Sequence, residues 1–191
     1  MGRESPVTPC SRGVAEGVGT VGKATRSGRC DDETVVDARS GEGLDVEPGS
    51  LLIAAPGLTD PNFRRTVVYM IEHRARGSLG VVLNRPSEVQ VRDVLPSWAP
   101  LASRPHAVFV GGPVENETAL CLATLRAGQD PRAVRGLVPV RGPVALVDLE
   151  SDPRALEQRL RGLRVFAGYA GWDAGQLEGE IARGDWIVVP A

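Results

Sequence analysis

The sequence predicts an α+β fold, or an irregular α/β fold, in a single domain. Short β-branched runs are interrupted by turn residues and by a few segments with helical signals. The two kinds of segment do not follow a strict β-α-β order, so a doubly wound parallel sheet is not expected. All three Trp, both Tyr and all three Phe lie within residues 48–191, and a chain of that length can bury an independent core.

Residues 1–47 are predicted to form a disordered N-terminal extension. They contain no aromatic residue, and their charges are segregated: five basic and two acidic residues in 1–30, then one basic and seven acidic residues in 31–47. Such a segment cannot bury enough apolar surface to offset a chain entropy of roughly 1–2 kcal/mol per residue. Deletion of residues 1–45 should leave the melting temperature nearly unchanged.

The first half of the predicted domain consists mainly of strands. SLLIAA at 50–55 is a short apolar run that ends at a Pro-Gly pair, as buried strands often do. Residues 66–72 and 78–84 are β-branched runs separated by the five-residue loop HRARG, which predicts a hairpin. Residues 91–95 lie just before a proline and predict one or two helical turns, and residues 106–112 predict another strand.

The second half combines strands with two helices. PVENE at 113–117 is predicted to be a polar loop, and 118–125 suit a strand or a short buried helix, with a strand favoured. Residues 142–149 predict a strand. Asp152 followed by proline predicts a helix N-terminus, and the helix is expected to continue until Gly162.

The C-terminal segment is predicted to close the fold. RVFAGYAGW at 164–172 is expected to be a strand, and Asp173 and Gln176 have the spacing of a capping box for a helix that ends at Gly184. A last strand follows in 185–191. Because a capping carboxylate would repel an anion, the helix start is interpreted as part of fold closure in preference to a phosphate site.

Eight residues are candidates for binding a ligand: Asp60, Asn62, Arg64, Arg65, His73, Asn84, Gly111 and Gly112. The arginine pair has the chemistry to bind an anion bidentately, the histidine to act as a base, and the glycine pair to present backbone amides. A structural interpretation stands beside each one and is favoured. It comprises an Asx turn at Asp60, a hydrogen-bonded His73, an Asn84 that closes a strand end and a tight turn at the glycines.

Catalytic and cofactor motifs are missing from the sequence. GxSxG, HExxH and P-loop patterns do not occur, so no catalytic residue is assigned and no cofactor or metal is predicted. Three widely spaced cysteines without CxxC indicate neither a disulfide framework nor a zinc site, which fits a reducing cytoplasm. Cys121, between two leucines, is interpreted as a small buried apolar residue.

Membrane and nucleic-acid partners are not expected. No apolar run reaches about 18 residues, the length needed to span a bilayer. Residues 48–191 hold sixteen Arg against fifteen acidic residues, and the whole chain has one Lys. This near balance does not provide the clustered positive charge that DNA binding requires.

Four motifs resemble those of a known family. LLIAAPGLTDPNFRRTVVYMIEH, GSLGVVLNRP, VFVGGPV and GYAGWDAGQLEGEIARGDWIVVPA, in this order and spacing, are similar to the YqgE/AlgH family of small bacterial proteins. The resemblance covers residues 48–191. It implies a single compact domain with a bifurcated mixed sheet curled into a pseudo-barrel, a cytoplasmic location and no established enzymatic activity. One departure is Ala123, where family members commonly have His.

Three classes of function follow from these observations. A non-catalytic binding or regulatory module that recognises a protein or a small metabolite is favoured. The alternative is a small-molecule enzyme, or a ligand-binding protein, that uses a polar cleft near the DPNFRR turn. A DNA-binding transcription regulator is the least favoured.

Overall fold

The computed structural model describes residues 45–190. The predicted disordered extension, residues 1–47, lies outside the described residues except for its last three. The described domain is mainly β, since 46% of it is strand and 14% is helix. The predicted α+β class is therefore wrong.

Ten strands and three α-helices are found between residues 45 and 190, with two short 3-10 helices at Ala99–Leu101 and Pro131–Ala133. The strands are β1 (Leu51–Ala54), β2 (Val67–Arg74), β3 (Gly77–Val82), β4 (Pro86–Gln90), β5 (Ala107–Val110), β6 (Val114–Leu125), β7 (Leu137–Arg141), β8 (Val144–Val147), β9 (Leu160–Asp173) and β10 (Trp186–Val189). The helices are α1 (Val91–Val94), α2 (Pro153–Leu156) and α3 (Gln176–Ala182).

The strands form one curled sheet that divides at β9. The main order is β10-β1-β2-β3-β9-β6-β8-β7, and all these neighbours are antiparallel. β9 pairs with β3 through Ala170–Asp173, whereas Phe166 and Ala167 pair in parallel with β5, which in turn pairs with β4. The sheet is thus a half-barrel with a branch at its longest strand.

Three groups of buried side chains form the core. The first core cluster includes Val91, Trp98, Cys121, Leu156 and Leu163. The second core cluster includes Leu52, Met70, Trp172, Leu177 and Trp186. The inner core cluster is Tyr69, Ile71, Val81, Phe109, Leu122 and Phe166. β1 and β7 lie in opposite regions of the strand order. Residues of both strands nevertheless pack on the inner core cluster. This cluster therefore lies on the concave face of the half-barrel.

The helical share is small because one predicted helix stops early. Asp152 caps α2 as predicted, since its Oδ1 accepts a hydrogen bond from the Arg154 amide at 3.0 Å. The helix ends at Leu156, and the chain enters β9 at Leu160. Leu160 pairs with Leu125 of β6 and is 2% exposed, so burial in the sheet overrides the helical spacing of the two leucines.

Two strands and the first part of β6 were not predicted. β4 and β7 have no counterpart in the sequence interpretation, and the predicted loop at 113–117 is mostly strand, because β6 begins at Val114. The predicted capping box at α3 forms only in part. Gln176 Oε1 accepts from the Asp173 amide at 3.0 Å, but the N-cap is Gly175 at φ 74°, with no side-chain cap.

The C-terminal tryptophans close the second core cluster. Trp172 and Trp186 are 5% and 4% exposed, and their rings meet edge to face with centroids 6.0 Å apart. Phe63 stacks on Trp172 at 6.0 Å and meets Trp186 edge-on at 5.6 Å. Both indole N–H groups donate to Glu180 Oε2, each at 2.9 Å. These rings fill the space between α3 and the sheet, as the closure interpretation predicted.

No helix within residues 45–190 combines the length and the apolar character needed to cross a membrane.

Candidate functional site

The turn at Asp60 uses most of its polar groups internally. Asp60 Oδ1 accepts a hydrogen bond from the Asn62 amide at 2.8 Å, which is an Asx turn. Arg85 Nη2 donates to the backbone oxygens of Pro61 at 3.0 Å and Arg64 at 3.2 Å. The side chains of Asp60, Asn62 and Arg64 are exposed, and the turn is held to the sheet by Arg85, which was not among the sequence candidates.

Asn84 and Arg65 meet at the same turn. Asn84 Oδ1 accepts from the Val67 amide at 3.1 Å, and its Nδ2 donates to the Arg65 oxygen at 2.9 Å. Arg65 has φ 58°, in the left-handed region that non-glycine residues seldom adopt. The Asn84 amide thus takes the place of a backbone partner where β2 begins.

His73 lies at the other end of β2. Its Nδ1 is 2.7 Å from Ser78 Oγ, and its Nε2 is 3.7 Å from Glu178 Oε1 on α3. His73 is six positions after Val67 along the strand, which corresponds to roughly 20 Å at about 3.3 Å per residue. His73 and the Asp60 turn therefore belong to different parts of the surface.

Gly111 and Gly112 allow the chain after β5 to pass close to the β9 backbone. The Gly111 amide donates to the Ala167 oxygen at 2.8 Å. A Cβ on Gly111 would lie 2.2 Å from the Gly168 oxygen, so the pair is required for backbone packing. The eight candidates occupy three separate places, and their role in ligand binding stays a prediction.

A different place gathers polar groups into a cavity. The concave face of the half-barrel holds a pocket of about 300 Å³, which is at the small end of the range for ligand sites. Its main lining side chains come from both halves of the sheet: Tyr69, Leu83, Leu122, Val144, Arg164 and Phe166. No carboxylate is among the described residues that line this pocket. We call it the concave pocket.

Among the described residues, Arg164 is the only charged side chain that lines the concave pocket. It stands on β9 opposite Leu122, and its guanidinium carbon lies 4.9 Å from the centre of the Phe109 ring. The side chain is half-buried and makes no ion pair or side-chain hydrogen bond with a described residue. Every other arginine of residues 45–190 has such a partner or is exposed to solvent.

Three hydroxyl groups accompany the guanidinium, from Tyr69, Ser103 and Thr124. Burial raises the pKa of Tyr69, while the positive charge of Arg141 acts in the opposite direction. The phenol is thus neutral at physiological pH and is available as a hydrogen-bond donor. Tyr69 makes no side-chain hydrogen bond with a described residue, and none of the described side chains has a buried polar atom left without a partner. Its hydroxyl is therefore open to solvent from the pocket.

The side chains of the concave pocket together have the chemistry to bind an anion that carries an apolar body. A guanidinium binds carboxylate or phosphate through two parallel N–H groups, and the leucine, valine and phenylalanine side chains provide the apolar wall. Ala123 borders this pocket, but its side chain belongs to the first core cluster and is 1% exposed. The side chain at position 123 therefore packs in the first core cluster and not beside Arg164.

Sequence reasoning missed Arg164, although the sequence holds a signal for it. Alternation along a strand places Arg164 on the same face as Phe166, which is an unusual position for a charge in the apolar run RVFAGYAG. A charged residue on the buried face of a strand indicates either a structural ion pair or a ligand.

A larger cleft, of about 480 Å³, lies beside Glu72, Arg76 and Asp173. Arg76 and Asp173 are exposed, and Glu72 pairs with Arg74 at 2.7 Å. The charged groups of this cleft are either exposed to water or paired with an opposite charge. None of them therefore lacks a partner that a ligand would have to supply.

Comparison with known proteins shows which family this chain resembles in sequence. Residues 51–191 match the model of the AlgH-like family. A UPF0301 protein of Rhodococcus opacus is 58% identical over 146 residues, which span 76% of this chain and 73% of that protein. One from Mycobacterium tuberculosis is 55% identical over the same length, 72% of its own chain.

Solved structures show the same fold. A crystal structure of a Corynebacterium diphtheriae protein has a TM-score of 0.77 at 36% identity, covering 79% of each chain. The solution structure of the AlgH protein from Pseudomonas aeruginosa has a TM-score of 0.55 at 32% identity, covering 75% of this chain and 77% of that one.

Proposed function

This chain belongs to the AlgH-like family, and we propose that its domain is a cytoplasmic, non-catalytic binding module that holds a small organic anion beside Arg164. The ligand class is a carboxylate or phosphate ester with a short apolar or aromatic body. The proposal rests on one observation: the half-buried Arg164 side chain lines the concave pocket and makes no ion pair or side-chain hydrogen bond with a described residue.

Physical chemistry makes that observation informative. The nitrogen atoms of Arg164 still reach solvent, because no described side chain has a buried polar atom without a partner, so its N–H donors are free to bind a ligand that enters the pocket. Phe109 covers one face of the Arg164 guanidinium, and the described lining supplies no counter-charge. An anion in the concave pocket would add charge-assisted hydrogen bonds worth about 1.5–3 kcal/mol each.

Binding without catalysis is favoured over an enzyme. The concave pocket contains one titratable neutral group, Tyr69, and no described histidine, cysteine side chain or carboxylate that faces it. At the Asp60 turn, the alternative enzyme site, the groups best placed to act, Asp60 and Asn84, already bond to backbone.

The test is thermal unfolding of the full-length protein with benzoate, phenyl phosphate, short carboxylates and sugar phosphates. A ligand at 100 times its dissociation constant adds about 2.7 kcal/mol to the free energy of unfolding, which is a shift of several degrees for a chain of this length. We expect such a shift with at least one anion, and we expect Arg164→Gln to abolish it.

Arg161→Gln is the matched control, because Arg161 is an exposed arginine on the same strand. It should keep the full ligand-induced shift. Replacement of Arg164 breaks no ion pair or side-chain hydrogen bond with a described residue and loses a contact with the Phe109 ring, so the variant should fold without ligand. Equal shifts in both variants would place the anion elsewhere, and the absence of any shift would refute the proposal.

A further inference from the structure

A second surface feature, distinct from the concave pocket, is an apolar groove between α1 and β6. Six large apolar side chains are at least 36% exposed within the described part of the chain. Three of them, Val89 (46%), Val94 (53%) and Val110 (41%), line this one groove of about 410 Å³. Exposed apolar side chains that converge on a concavity are typical of interaction sites, whereas isolated ones are not.

One wall of this valine groove is an irregular stretch of β6. Its pairing with β9 jumps from Val114↔Tyr169 to Ala119↔Ala167, so four residues, 115–118, face only Gly168. These four cannot all pair with one residue, and part of their backbone is left outside the ladder. Glu115 there has φ 49°, a conformation that costs a non-glycine residue free energy and is common at functional sites.

The charge of the groove defines its partner. Among the described residues, its lining includes one carboxylate, Glu117, and no basic side chain. A symmetric contact between two copies of this groove would bring like charges together, which opposes a homodimer through this surface. A basic side chain on the partner would instead be attracted to the wall.

We infer that the valine groove binds an extended apolar segment of another protein that carries a lysine or arginine facing Glu117. Apolar side chains of the segment pack against Val89, Val94 and Val110. Its backbone hydrogen-bonds to the unpaired groups of residues 115–118, as in recognition by strand addition. Its basic residue provides the specificity.

The probe is a random library of 12-residue peptides displayed on phage and selected against the full-length protein. We expect the enriched peptides to combine apolar residues with lysine or arginine. When these peptides are synthesised and measured by fluorescence anisotropy, Val94→Asp should weaken binding by about tenfold or more. Glu117→Lys should weaken the binding of the basic peptides by about the same factor.

Val138→Asp is the control, because Val138 is 58% exposed but lies on β7, outside the groove. It should leave affinity within about twofold of the original. The inference is overturned if no peptide is enriched, or if enriched peptides bind Val94→Asp as tightly as the original protein. It is also overturned if sedimentation equilibrium shows a dimer that Val94→Asp dissociates, since the groove would then hold a second copy.

Discussion

Glu180 is the residue on which the C-terminal closure depends. One carboxylate oxygen accepts hydrogen bonds from both buried indoles, and the other accepts from Gln176 Nε2 at 2.9 Å. Replacing it leaves two indole donors without their acceptor. Such donors are costly when they are buried, because they cannot return to water.

We expect Glu180→Ala to lower the free energy of unfolding by about 1–3 kcal/mol, measured by urea denaturation. Glu178→Ala is the control on the same helix, because the Glu178 side chain is 55% exposed and only approaches His73 at 3.7 Å. It should change stability by less than about 0.5 kcal/mol. Equal effects of the two substitutions would show that the indole bonds do not stabilise the fold.

Cys121 gives stability a pH dependence in the alkaline range. Burial raises the pKa of its thiol from 9.0 to about 12. Between these values the unfolded chain loses the proton and the folded chain keeps it, so the unfolded state gains stability as pH rises. Below about pH 8 this group has almost no effect on the free energy of unfolding, because the thiol is protonated in both states.

We expect the original protein to lose about 2 kcal/mol more than Cys121→Ala between pH 8 and pH 10.5, at 1.36 kcal/mol per pKa unit. Urea denaturation at each pH measures it, and comparison with the variant removes the contribution of the tyrosines. Parallel pH profiles would mean that the thiol ionises in the folded state.

Single residues differ in how far the sequence reveals their roles. The Asp152 cap was predictable, because a cap depends on neighbours within one turn. The environment of Arg164 depends on Phe109, which is 55 positions away in the sequence, and on a β2 side chain from the opposite wall. The burial that makes this arginine informative exists only after the sheet has curled.

At the level of elements, the close passage of the chain after β5 over the β9 backbone sets the geometry of the branch. Gly111 lies against the β9 backbone with no space for a side chain. Because the obstructing atom is a backbone oxygen within a paired strand, it cannot move as a flexible side chain would.

We expect Gly111→Ala to destabilise the protein by at least about 3 kcal/mol through overpacking. Gly57→Ala is the control, because a Cβ at Gly57 meets no atom within 4 Å and its φ is not positive. Urea denaturation should show little change for Gly57→Ala. Near-original stability of Gly111→Ala would mean that β5 and β9 can separate without loss.

Strands were predictable from the sequence where apolar residues recur regularly along one face. The runs at 50–55, 66–72 and 78–84 matched β1, β2 and β3, because β-branched residues fit a half-buried pleated surface. β4 and β7 were missed because each contains a proline and has a partner strand on only one side. Such edge strands lack the apolar alternation that identifies a central strand.

For the domain as a whole, β9 has the largest consequence. Its first residues contribute to the first core cluster and its last residues to the second. Neither cluster can lose its packing without disturbing a strand that the other needs. The described domain is therefore expected to unfold in one cooperative transition.

We test this with two probes of different clusters. In Trp98→Phe the remaining tryptophans report on the second core cluster, while labelling of Cys121, followed by mass spectrometry of its peptide, reports on the first. The two urea midpoints should coincide. Midpoints that differ clearly would identify two subdomains that unfold separately.

The fold class was misjudged because helical signals in the sequence are local and strand signals are not. The leucines at 156 and 160 satisfy helical spacing, but the partner of Leu160 is Leu125. The expectation of a branched, curled sheet came from family resemblance and agrees with the half-barrel. No spacing within one segment specifies which strand will branch.

The pairing of β1 with β10 determines how the domain responds to force. Leu51, where β1 begins, lies opposite Val189, where β10 ends, and the hydrogen bonds of an antiparallel pair run across the strands. Tension applied at these two points pulls the strands apart one bonded pair at a time instead of loading all the bonds together. Stretching the domain between these two points in an optical trap is therefore expected to open it at a lower force than its thermodynamic stability would suggest.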